Sequence, residues 1–323
     1  MKRRRFLKLA AGAFALPAVS RAARAQSYPV RPVRLIVGFG AGGAPDILAR
    51  LVAQWLADHL GQPFVVENRT GASSEIATET VVKAAPDGHT LLLASLANAV
   101  NATLYTNLTY NFIRDIAPVC GISRDPNVMV VTSAYPTKTV PEFIAYTKAN
   151  PGKINMGSPG VGTSPHMAGE LFKVMTGAEM THVAYRGSPQ VLTDLLGGQV
   201  QVYFAPIAAS IGYIKDGRLR ALGVTTAARV NALPDVPAIA EFVPGYESSA
   251  FYGIGAPKDT PAAIVDKLNK EINGGLADAT LKARLAELGS SPFAGSPADF
   301  GKLIADETQK WAKVIKSGNI KPE

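Results

Sequence analysis

The amino-acid sequence predicts an α/β protein with two lobes, each a central β-sheet flanked by helices, joined by two crossover segments. Three observations lead to this prediction. Strand-like and helix-like segments alternate along most of the chain, two strand-to-helix turns are rich in glycine, and the last third is largely helical. The 323 residues also exceed what one hydrophobic core usually serves, which favours two folding units.

Residues 1–25 are predicted to form a cleaved signal peptide. The basic run Lys2 to Arg5 precedes a mildly apolar segment, and Ala23-Arg24-Ala25 supplies the small residues that a signal peptidase reads. The run from Arg3 to Lys8 also resembles the twin-arginine export motif, with an ordinary secretory signal as the alternative. We therefore expect a periplasmic protein that begins at Gln26.

The basic character of the chain comes from this predicted signal. Residues 1–25 carry seven of the 33 Lys and Arg residues and none of the 25 acidic residues, so the remainder has a net charge of +1. This near-neutral balance argues against a nucleic-acid or membrane-surface partner. Cys120 is the only cysteine and is predicted to be a core residue, and the four histidines lack metal-ligand spacing. We expect no metal and no cofactor.

The first folded unit is a strand, a glycine turn and a long helix. Residues 33–37 form an apolar run typical of a strand covered on both faces, and apolar residues recur at helical spacing after Pro45. The intervening glycines allow tight turning and close approach of a ligand to the main chain. Pro45 suits the first helical turn, where the free N–H groups of neighbouring residues make an anion site.

Two interpretations of this unit compete. Gly38, Gly40 and Gly43 match the dinucleotide fingerprint G-x-G-x-x-G, and Glu67 ends the next apolar run where a ribose-binding acid would lie. Alternatively, any strand-to-helix turn that binds a small anion needs the same glycines. The fingerprint alone is a weak signal, so the remainder of the chain must distinguish the two.

The remainder contains a second series of strands and helices. In the first series, strands at 63–67 and 90–94 bring three turns to one sheet edge: residues 38–43, 68–74 and 95–98. The second series has predicted strands at 127–132, 154–157, 182–184, 199–204 and 220–225, with a second glycine loop at 158–163. Predicted helices at 262–272, 277–288 and 298–314 follow an apolar segment at 250–256.

The chain is therefore predicted to cross between lobes near residues 126 and 247, which makes a hinge. Lobe 1 is assigned to residues 26–126 plus 247–323, and lobe 2 to residues 127–246. The glycine loops at 38–43 and 158–163 then lie on different lobes and face one cleft. We expect the lobes to close on a ligand, with a decrease in the radius of gyration.

Specific motifs give the sequence a family resemblance over essentially its whole mature length. They are Tyr28-Pro29-x-Arg31-Pro32, Val66-Glu67-Asn68-Arg69-x-Gly71-Ala72, Ala85-Pro86-Asp87-Gly88-x-Thr90, Gly157-Ser158-x-Gly160-x-Gly162-Thr163, Tyr185-Arg186-Gly187 and Leu233-Pro234-Asp235-x-Pro237. The sequence resembles the periplasmic solute receptors of tripartite tricarboxylate transporters, the Bug family. This resemblance implies a type II periplasmic binding protein that closes on a small carboxylate, held largely by main-chain amides and waters.

Two positions depart from the family pattern. The first strand of these receptors usually ends Val-Pro-Phe, whereas this chain has Val37-Gly38-Phe39, and that change creates the apparent dinucleotide fingerprint. The family's Gly-Ala-Gly-Gly is Gly71-Ala72-Ser73-Ser74 here, which adds two hydroxyl groups. The first departure weakens the oxidoreductase interpretation, and the second could alter the pocket.

We therefore expect a non-enzymatic solute receptor that binds a di-, tri- or aromatic carboxylic acid. Its partners are the carboxylate and integral membrane transporter subunits, and we expect a monomer. A periplasmic nicotinamide-dependent oxidoreductase is the alternative. The predicted ligand-binding residues are Phe39, Gly40, Ala41, Gly42, Gly43, Asp46, Ser73, Ser74, Ser95, Ser158, Gly160, Val161, Gly162, Thr163, His166, Arg186 and Phe204.

Several of these side chains have two interpretations. Asp46 either caps its own helix or binds a ligand ammonium or hydroxyl group, and Arg186 either pairs with a distal carboxylate or is a surface charge. His166 is either a ligand donor or a solvated helix residue. Arg69 is expected to pair locally. An amide cradle at 158–163 further predicts that Gly162→Val costs more affinity than Arg186→Ala.

Overall fold

A computed structural model describes residues 28–322, so the predicted signal peptide and its cleavage site lie outside the described residues. The strands are β1 (Val33–Val37), β2 (Phe64–Asn68), β3 (Thr90–Ser95), β4 (Ile116–Thr132), β5 (Asn155–Ser158), β6 (Thr181–Ala184), β7 (Val202–Pro206), β8 (Leu219–Val224), β9 (Ser249–Pro257) and β10 (Ser291–Pro292). The helices are α1 (Ala44–Leu60), α2 (Glu75–Val82), α3 (Leu96–Leu104), α4 (Phe112–Asp115), α5 (Val140–Ala149), α6 (Ser164–Thr176), α7 (Ser188–Leu196), α8 (Ile207–Lys215), α9 (Ala262–Ala277), α10 (Ala279–Glu287) and α11 (Pro297–Ser317).

Two groups of strands share one long strand. The order across the sheet is β2-β1-β3-β9-β4-β7-β5-β6, with β8 and β10 also paired to β4. We call β2, β1, β3, β9 and the first part of β4 the first sheet, and the last part of β4 with β7, β8, β5 and β6 the second sheet. Strands β1, β2 and β3 are parallel, as are β5, β6 and β7, whereas β4 runs antiparallel to its neighbours.

Strand β4 changes partners along its 17 residues. From Ile116 to Pro126 it pairs with β9, and from Asn127 onward it pairs with β7 and β8. The sequence predicted a strand only at 127–132, with a crossover near residue 126. The structure corrects this, since Arg124, Asp125 and Pro126 remain in register with β9.

Two further elements differ from the sequence prediction. Helix α3 was not predicted, and the apolar segment at 250–256 is strand β9, in the middle of the sheet. Gly253 and Gly255 obscure the strand pattern, since glycine weakens strand propensity. Both are required by packing: a Cβ at Gly253 would lie 2.2 Å from Cζ of Phe300, and one at Gly255 would lie 2.6 Å from Cγ2 of Ile116.

Helices cover both faces of the strands and bury the apolar side chains. One core contains β1, β3 and residues of α1, α9 and α10, and a second lies between the second sheet and helices α7 and α8. A third core runs from α3 and α11 to α6 and so joins the two sheets. Cys120 is fully buried, as predicted, and burial raises the pKa of its thiol to about 12. Within residues 28–322, no helix is both long and apolar enough to span a membrane.

Candidate functional site

The loops that follow strands of both sheets line a cavity of about 360 Å³. Its wall consists of Phe39, Gly40, Ala41, Gly43, Ala44, Pro45, Ser95, Leu96, Ala97, Pro159, Thr163, Ser164, Pro165, Arg186, Gly187, Ser188, Pro189, Gln190, Pro206, Ala250 and Tyr252. These residues follow β1, β3, β5 and β6, end β7, or belong to β9. The cavity therefore lies beyond the carboxyl ends of the parallel strands, where ligands bind in open α/β sheets.

Four helices, α1, α3, α6 and α7, begin at the cavity wall. The first amides of a helix have no intrahelical acceptor, and the helix dipole gives this end a partial positive charge. Pro45, Pro165 and Pro189 each occupy the first turn of their helix, where a missing N–H costs nothing. The convergence of these helix N-termini favours an anion in the cavity.

Arg186 supplies the only charged side chain among the described residues that line the cavity. It is exposed, and within residues 28–322 its guanidinium has no acidic partner within 4.0 Å. Its main-chain N–H donates to Oε1 of Gln190 at 3.1 Å, which holds the start of α7 against the rim. Arg186 can therefore meet an anionic ligand group without first breaking an ion pair.

Asp46 braces the first glycine loop and does not line the cavity. Its carboxylate accepts the Gly42 N–H at 2.9 Å, the Arg50 guanidinium at 3.0 Å and the Asn68 amide at 2.9 Å. Asn68 also donates to the carbonyl oxygen of Phe39 at 2.9 Å. Burial opposes ionisation, but these hydrogen bonds hold the pKa of Asp46 below its ordinary value. The bond from Gly42, just before α1 begins, agrees with the interpretation of Asp46 as a cap of its own helix, and the same carboxylate also braces the loop.

The amides of the second glycine loop, residues 158–163, bond to acceptors in the loop itself and in the first turn of α6. Gly160 N–H donates to Oγ of Ser158 at 3.2 Å, and Gly162 N–H donates to Nδ1 of His166 at 3.1 Å. Thr163 N–H and its hydroxyl both donate to the carbonyl oxygen of Gly160. The amides of Gly160, Gly162 and Thr163 thus have intramolecular acceptors, and they would have to leave these acceptors to form the expected amide cradle, which stays a prediction.

This second loop instead contacts the turn after β2. The Ser73 hydroxyl donates to the carbonyl oxygen of Val161 at 2.5 Å, and Asn101 donates to the carbonyl oxygen of Ser73 at 2.8 Å. Ala72, Ser73 and Ser74 have φ values of 43°, 49° and 79°, in the left-handed region that side chains disfavour. Ser73 therefore belongs to a contact between the loops of the first and second sheets, and neither Ser73 nor Ser74 lies in the cavity wall.

Two other predicted residues, His166 and Phe204, are buried away from the cavity. The rings of His166 and His182 contact each other at a tilt of 39°, with centroids 4.0 Å apart, and Nε2 of His182 lies 2.6 Å from Oγ of Ser158. Burial lowers the pKa of His166 well below its ordinary value and that of His182 to about 4, so both rings are neutral at neutral pH. Phe204 is fully buried in the core. Neither interpretation of His166, as ligand donor or solvated residue, describes its buried position.

The predicted residues therefore divide into two sets. Those that line the cavity are Phe39, Gly40, Ala41, Gly43, Ser95, Thr163 and Arg186. Those that lie outside its wall are Gly42, Asp46, Ser73, Ser74, Ser158, Gly160, Val161, Gly162, His166 and Phe204. Contact with ligand stays a prediction for the first set.

Sequence reasoning missed the side of the cavity that β9 and the end of β7 form. Ala250 and Tyr252 on β9 line it, together with Pro206 at the end of β7. The start of α7 was also missed as a ligand site, although Ser188-Pro189 had the signature of a helix N-terminus. No comparable signal marked Tyr252, because its strand was not predicted.

Glu67, the acid that the dinucleotide interpretation needs, is paired with arginine and lies outside the cavity wall. Its carboxylate forms two hydrogen bonds with Arg34 on β1, at 2.6 and 2.8 Å, and lies 3.5 Å from Arg69. It lies outside the cavity wall, and the local pairing predicted for Arg69 is confirmed. Within residues 28–322, no group of three or more His, Cys, Asp or Glu side chains could hold a metal ion.

Comparison with known proteins identifies the family. Residues 48–320 match the model of the tripartite tricarboxylate transporter family receptor, TctC. The chain belongs to this family. It is 36% identical to protein BugT of Bordetella pertussis over 300 residues, covering 92% of each chain. The family assignment confirms the resemblance seen in the sequence.

Solved structures of similar proteins have the same fold. The chain is 38% identical to R. palustris Rpa4515 with adipate, with a TM-score of 0.86, covering 92% of this chain and all of that one. It is 30% identical to MatC of Rhodopseudomonas palustris with bound malate, with a TM-score of 0.82 and coverage of 89% and 100%. The periplasmic binding protein BugD is 31% identical, with a TM-score of 0.83 and coverage of 92% and 100%. The fold is therefore the two-lobed type II periplasmic binding protein predicted from the sequence.

Proposed function

We propose that the protein is a periplasmic, non-enzymatic receptor that binds a small carboxylate in this cavity and delivers it to integral membrane transporter subunits. The observation that carries the proposal is the convergence of four helix N-termini beside the unpaired Arg186. No acidic side chain occurs among the described residues of the wall. Adipate and malate in two similar structures support a carboxylate as the ligand class.

The energetics of such a site suit a receptor. A hydrogen bond to a charged group contributes about 1.5–3 kcal/mol, and a helix N-terminus typically adds ~0.3–1 kcal/mol. Four or five such bonds cover the roughly 8 kcal/mol of a micromolar ligand after the entropic cost of association. The amides at the starts of α1, α3, α6 and α7, with Arg186, provide enough donors for this binding.

We further propose that the lobes comprise residues 26–126 plus 247–323 and residues 127–246. Two observations support these boundaries. Strand β4 changes partners between Pro126 and Asn127. Where the chain returns, the Ser248 N–H donates to the carbonyl oxygen of Thr225, and the next residue, Ser249, pairs with Pro126. Closure of these lobes around the cavity would bury the ligand, and would reduce the radius of gyration in small-angle scattering.

Export completes this proposal. Cleavage after Ala25 would release a mature monomer with near-zero net charge, suited to free diffusion between ligand and membrane transporter. Intact-mass measurement of periplasmic material tests the predicted amino terminus at Gln26. A retained signal would instead indicate a membrane-tethered form.

A thermal-shift screen tests the binding function directly. Carboxylic acids of two to eight carbons would be compared with their uncharged amides, at matched concentration and ionic strength. A ligand at a thousandfold excess over its dissociation constant should add about 4 kcal/mol of stability. At least one acid should stabilise the protein while its amide does not. Equal stabilisation by acid and amide, or none by any acid, would contradict the proposal.

A further inference from the structure

A half-buried carboxyl group with one fully buried oxygen atom lies behind the part of the cavity wall that β9 forms. Asp125 is on β4, one residue before the strand changes partners, and its Oδ1 atom is buried without a hydrogen-bond partner in the described chain. Within residues 28–322 it has no cationic partner within 4.0 Å. A buried carboxylate oxygen without a donor or a cationic partner is costly, so its place beside a binding site suggests a functional role.

Strand pairing sets the direction in which Asp125 points. Asp125 lies directly opposite Ala250 and Ser123 opposite Tyr252, with no register shift between these pairs. Directly opposed residues of antiparallel strands project from the same sheet face. Because Ala250 and Tyr252 line the cavity, Asp125 lies on the cavity side of the sheet.

The neighbours of Asp125 do not neutralise its charge. On this face, its carboxyl group meets the hydroxyls of Ser123 and Ser290, and the titratable group that faces it is Tyr252 on β9. Arg124 projects to the opposite face, towards Glu247 and Glu307. Burial raises the pKa of Asp125 to about 6, so the group is mainly ionised at neutral pH and is neutralised below that value.

Tyr252 connects this charge to the ligand. It lines the cavity, and no protein group of the described chain bonds its hydroxyl. Burial, and next the charge of Asp125, raise the pKa of Tyr252, so the hydroxyl keeps its proton. The β9 side of the cavity thus has the neutral Tyr252 hydroxyl with the negative charge of Asp125 behind it. The positive charge of the exposed Arg186 lies elsewhere on the wall.

We infer that Asp125 disfavours a second ligand carboxylate beside Ala250 and Tyr252, the part of the cavity wall that we call the floor, and so sets the ligand selectivity there. The preferred ligand then has one carboxylate at the helix N-termini and an uncharged group at the floor. The inference rests on the proposed function and narrows its ligand class. Asp125 acts on the ligand through the electrostatic field of its negative charge, without direct contact. It is a specificity-determining residue because this field opposes a second carboxylate.

Hexanoate and adipate are suitable probes, because they have equal chain length and differ in the charge of the distal end. Their affinities would be measured by calorimetric titration at about pH 7.5 for the wild type and Asp125→Asn, where carboxylates of normal pKa are ionised. Removing one like charge near the ligand should raise the adipate-to-hexanoate affinity ratio by about fivefold or more. Glu247→Gln, which removes a carboxylate on the opposite sheet face, should leave the ratio unchanged.

A pH profile separates this role from a purely structural one. Between about pH 7.5 and pH 5.5 the ratio should rise more in the wild type than in Asp125→Asn, whose residual change reports the acids' own protonation. Thermal unfolding verifies that each variant is folded, and Asp125→Ser replaces Asp125→Asn if the latter is not.

The outcomes distinguish this inference from the proposed function. If both acids bind and the ratio is the same in the wild type and Asp125→Asn at both pH values, the inference is overturned while the carboxylate function stands. If the wild type binds neither these acids nor any acid of the thermal-shift screen, the proposed function fails and the inference fails with it.

Discussion

The two glycine loops have similar sequences but different roles. Residues 38–43 follow β1, and most of them face the cavity, as does the start of α1. Residues 158–163 follow β5, yet the amides of Gly160 and Gly162 bond to Ser158 and His166 inside their own loop. Gly162 packs against α3, where a Cβ would lie 3.3 Å from Asn101 and Leu104. Both loops therefore border the cavity, but the second loop also joins the two sheets through Val161 and Gly162.

This difference shows that glycine content alone does not make an anion site. What matters is where the main-chain amides find their acceptors. In the first loop Asp46 takes one amide, that of Gly42, and leaves the start of α1 open to the cavity. In the second loop the local acceptors Ser158 and His166 satisfy the amides of Gly160 and Gly162, and the loop reaches the cavity wall through Pro159, Thr163 and the start of α6.

The largest effect is expected at Gly38, where the first loop begins. A Cβ there would lie 2.0 Å from Oγ and 2.7 Å from Cα of Ser74, so Gly38→Ala should destabilise the fold by about 3 kcal/mol. Adding Ser74→Gly should restore part of this loss, since it removes the two nearest atoms.

Gly40→Ala provides the matched control, because a Cβ at that position meets nothing within 4 Å. Its free energy of unfolding in urea should stay within about 0.5 kcal/mol of the wild type. Equal losses for Gly38→Ala and Gly40→Ala would show that Ser74 does not restrict the first loop.

Arg186→Ala should have the next largest effect, on ligand binding and not on stability. Loss of a charge-assisted bond at this exposed position should weaken carboxylate binding by about 1–2 kcal/mol, and should also reduce its salt dependence. The comparison is Arg69→Ala, which removes an arginine paired with Glu67 outside the cavity.

Calorimetric titration of both variants with the same carboxylate measures this difference in affinity. Similar affinities for Arg69→Ala and Arg186→Ala would mean that Arg186 contributes no specific contact. The sequence predicted that Gly162→Val would cost more affinity than Arg186→Ala. In the structure the Gly162 amide bonds to His166, so Gly162→Val should act chiefly on the packing against α3.

The smallest effect is expected at Ser73, in the contact between the sheets. Ser73→Ala removes the hydroxyl bond to Val161 but keeps a side chain at a φ of 49°, whereas Ser73→Gly removes the same bond and relieves the backbone strain. Ser73→Gly should therefore be more stable than Ser73→Ala by about 1 kcal/mol in chemical unfolding. The reverse order would show that the left-handed conformation at Ser73 is not strained.

The sequence predicted the local elements better than their contacts. β1, α1 and the cavity-facing part of the first loop follow from hydrophobic periodicity and from Pro45, which are local signals. Strand β9 could not be predicted in the same way, because Gly253 makes room for Phe300, a residue far along the chain. Tyr252 and the neighbourhood of Asp125 depend on that strand and so were missed.

The role of the second loop was also beyond local reasoning. Gly160 and Gly162 do adopt left-handed conformations, with φ of 128° and 78°, as an anion loop would. The burial of His166 against His182 makes Nδ1 of His166 an acceptor for the Gly162 amide. That acceptor depends on a tertiary contact between α6 and β6, which the sequence pattern does not contain.

A crystal structure of the protein with a bound carboxylic acid, such as hexanoate, tests the central claim most directly. The carboxylate should lie at the starts of α1 and α7, within about 3.2 Å of first-turn amides, with the Arg186 guanidinium beside it. The second loop should keep its internal bonds from Gly160 and Gly162. A carboxylate held instead by the amides of Val161 and Gly162, with the bond to His166 broken, would contradict the account.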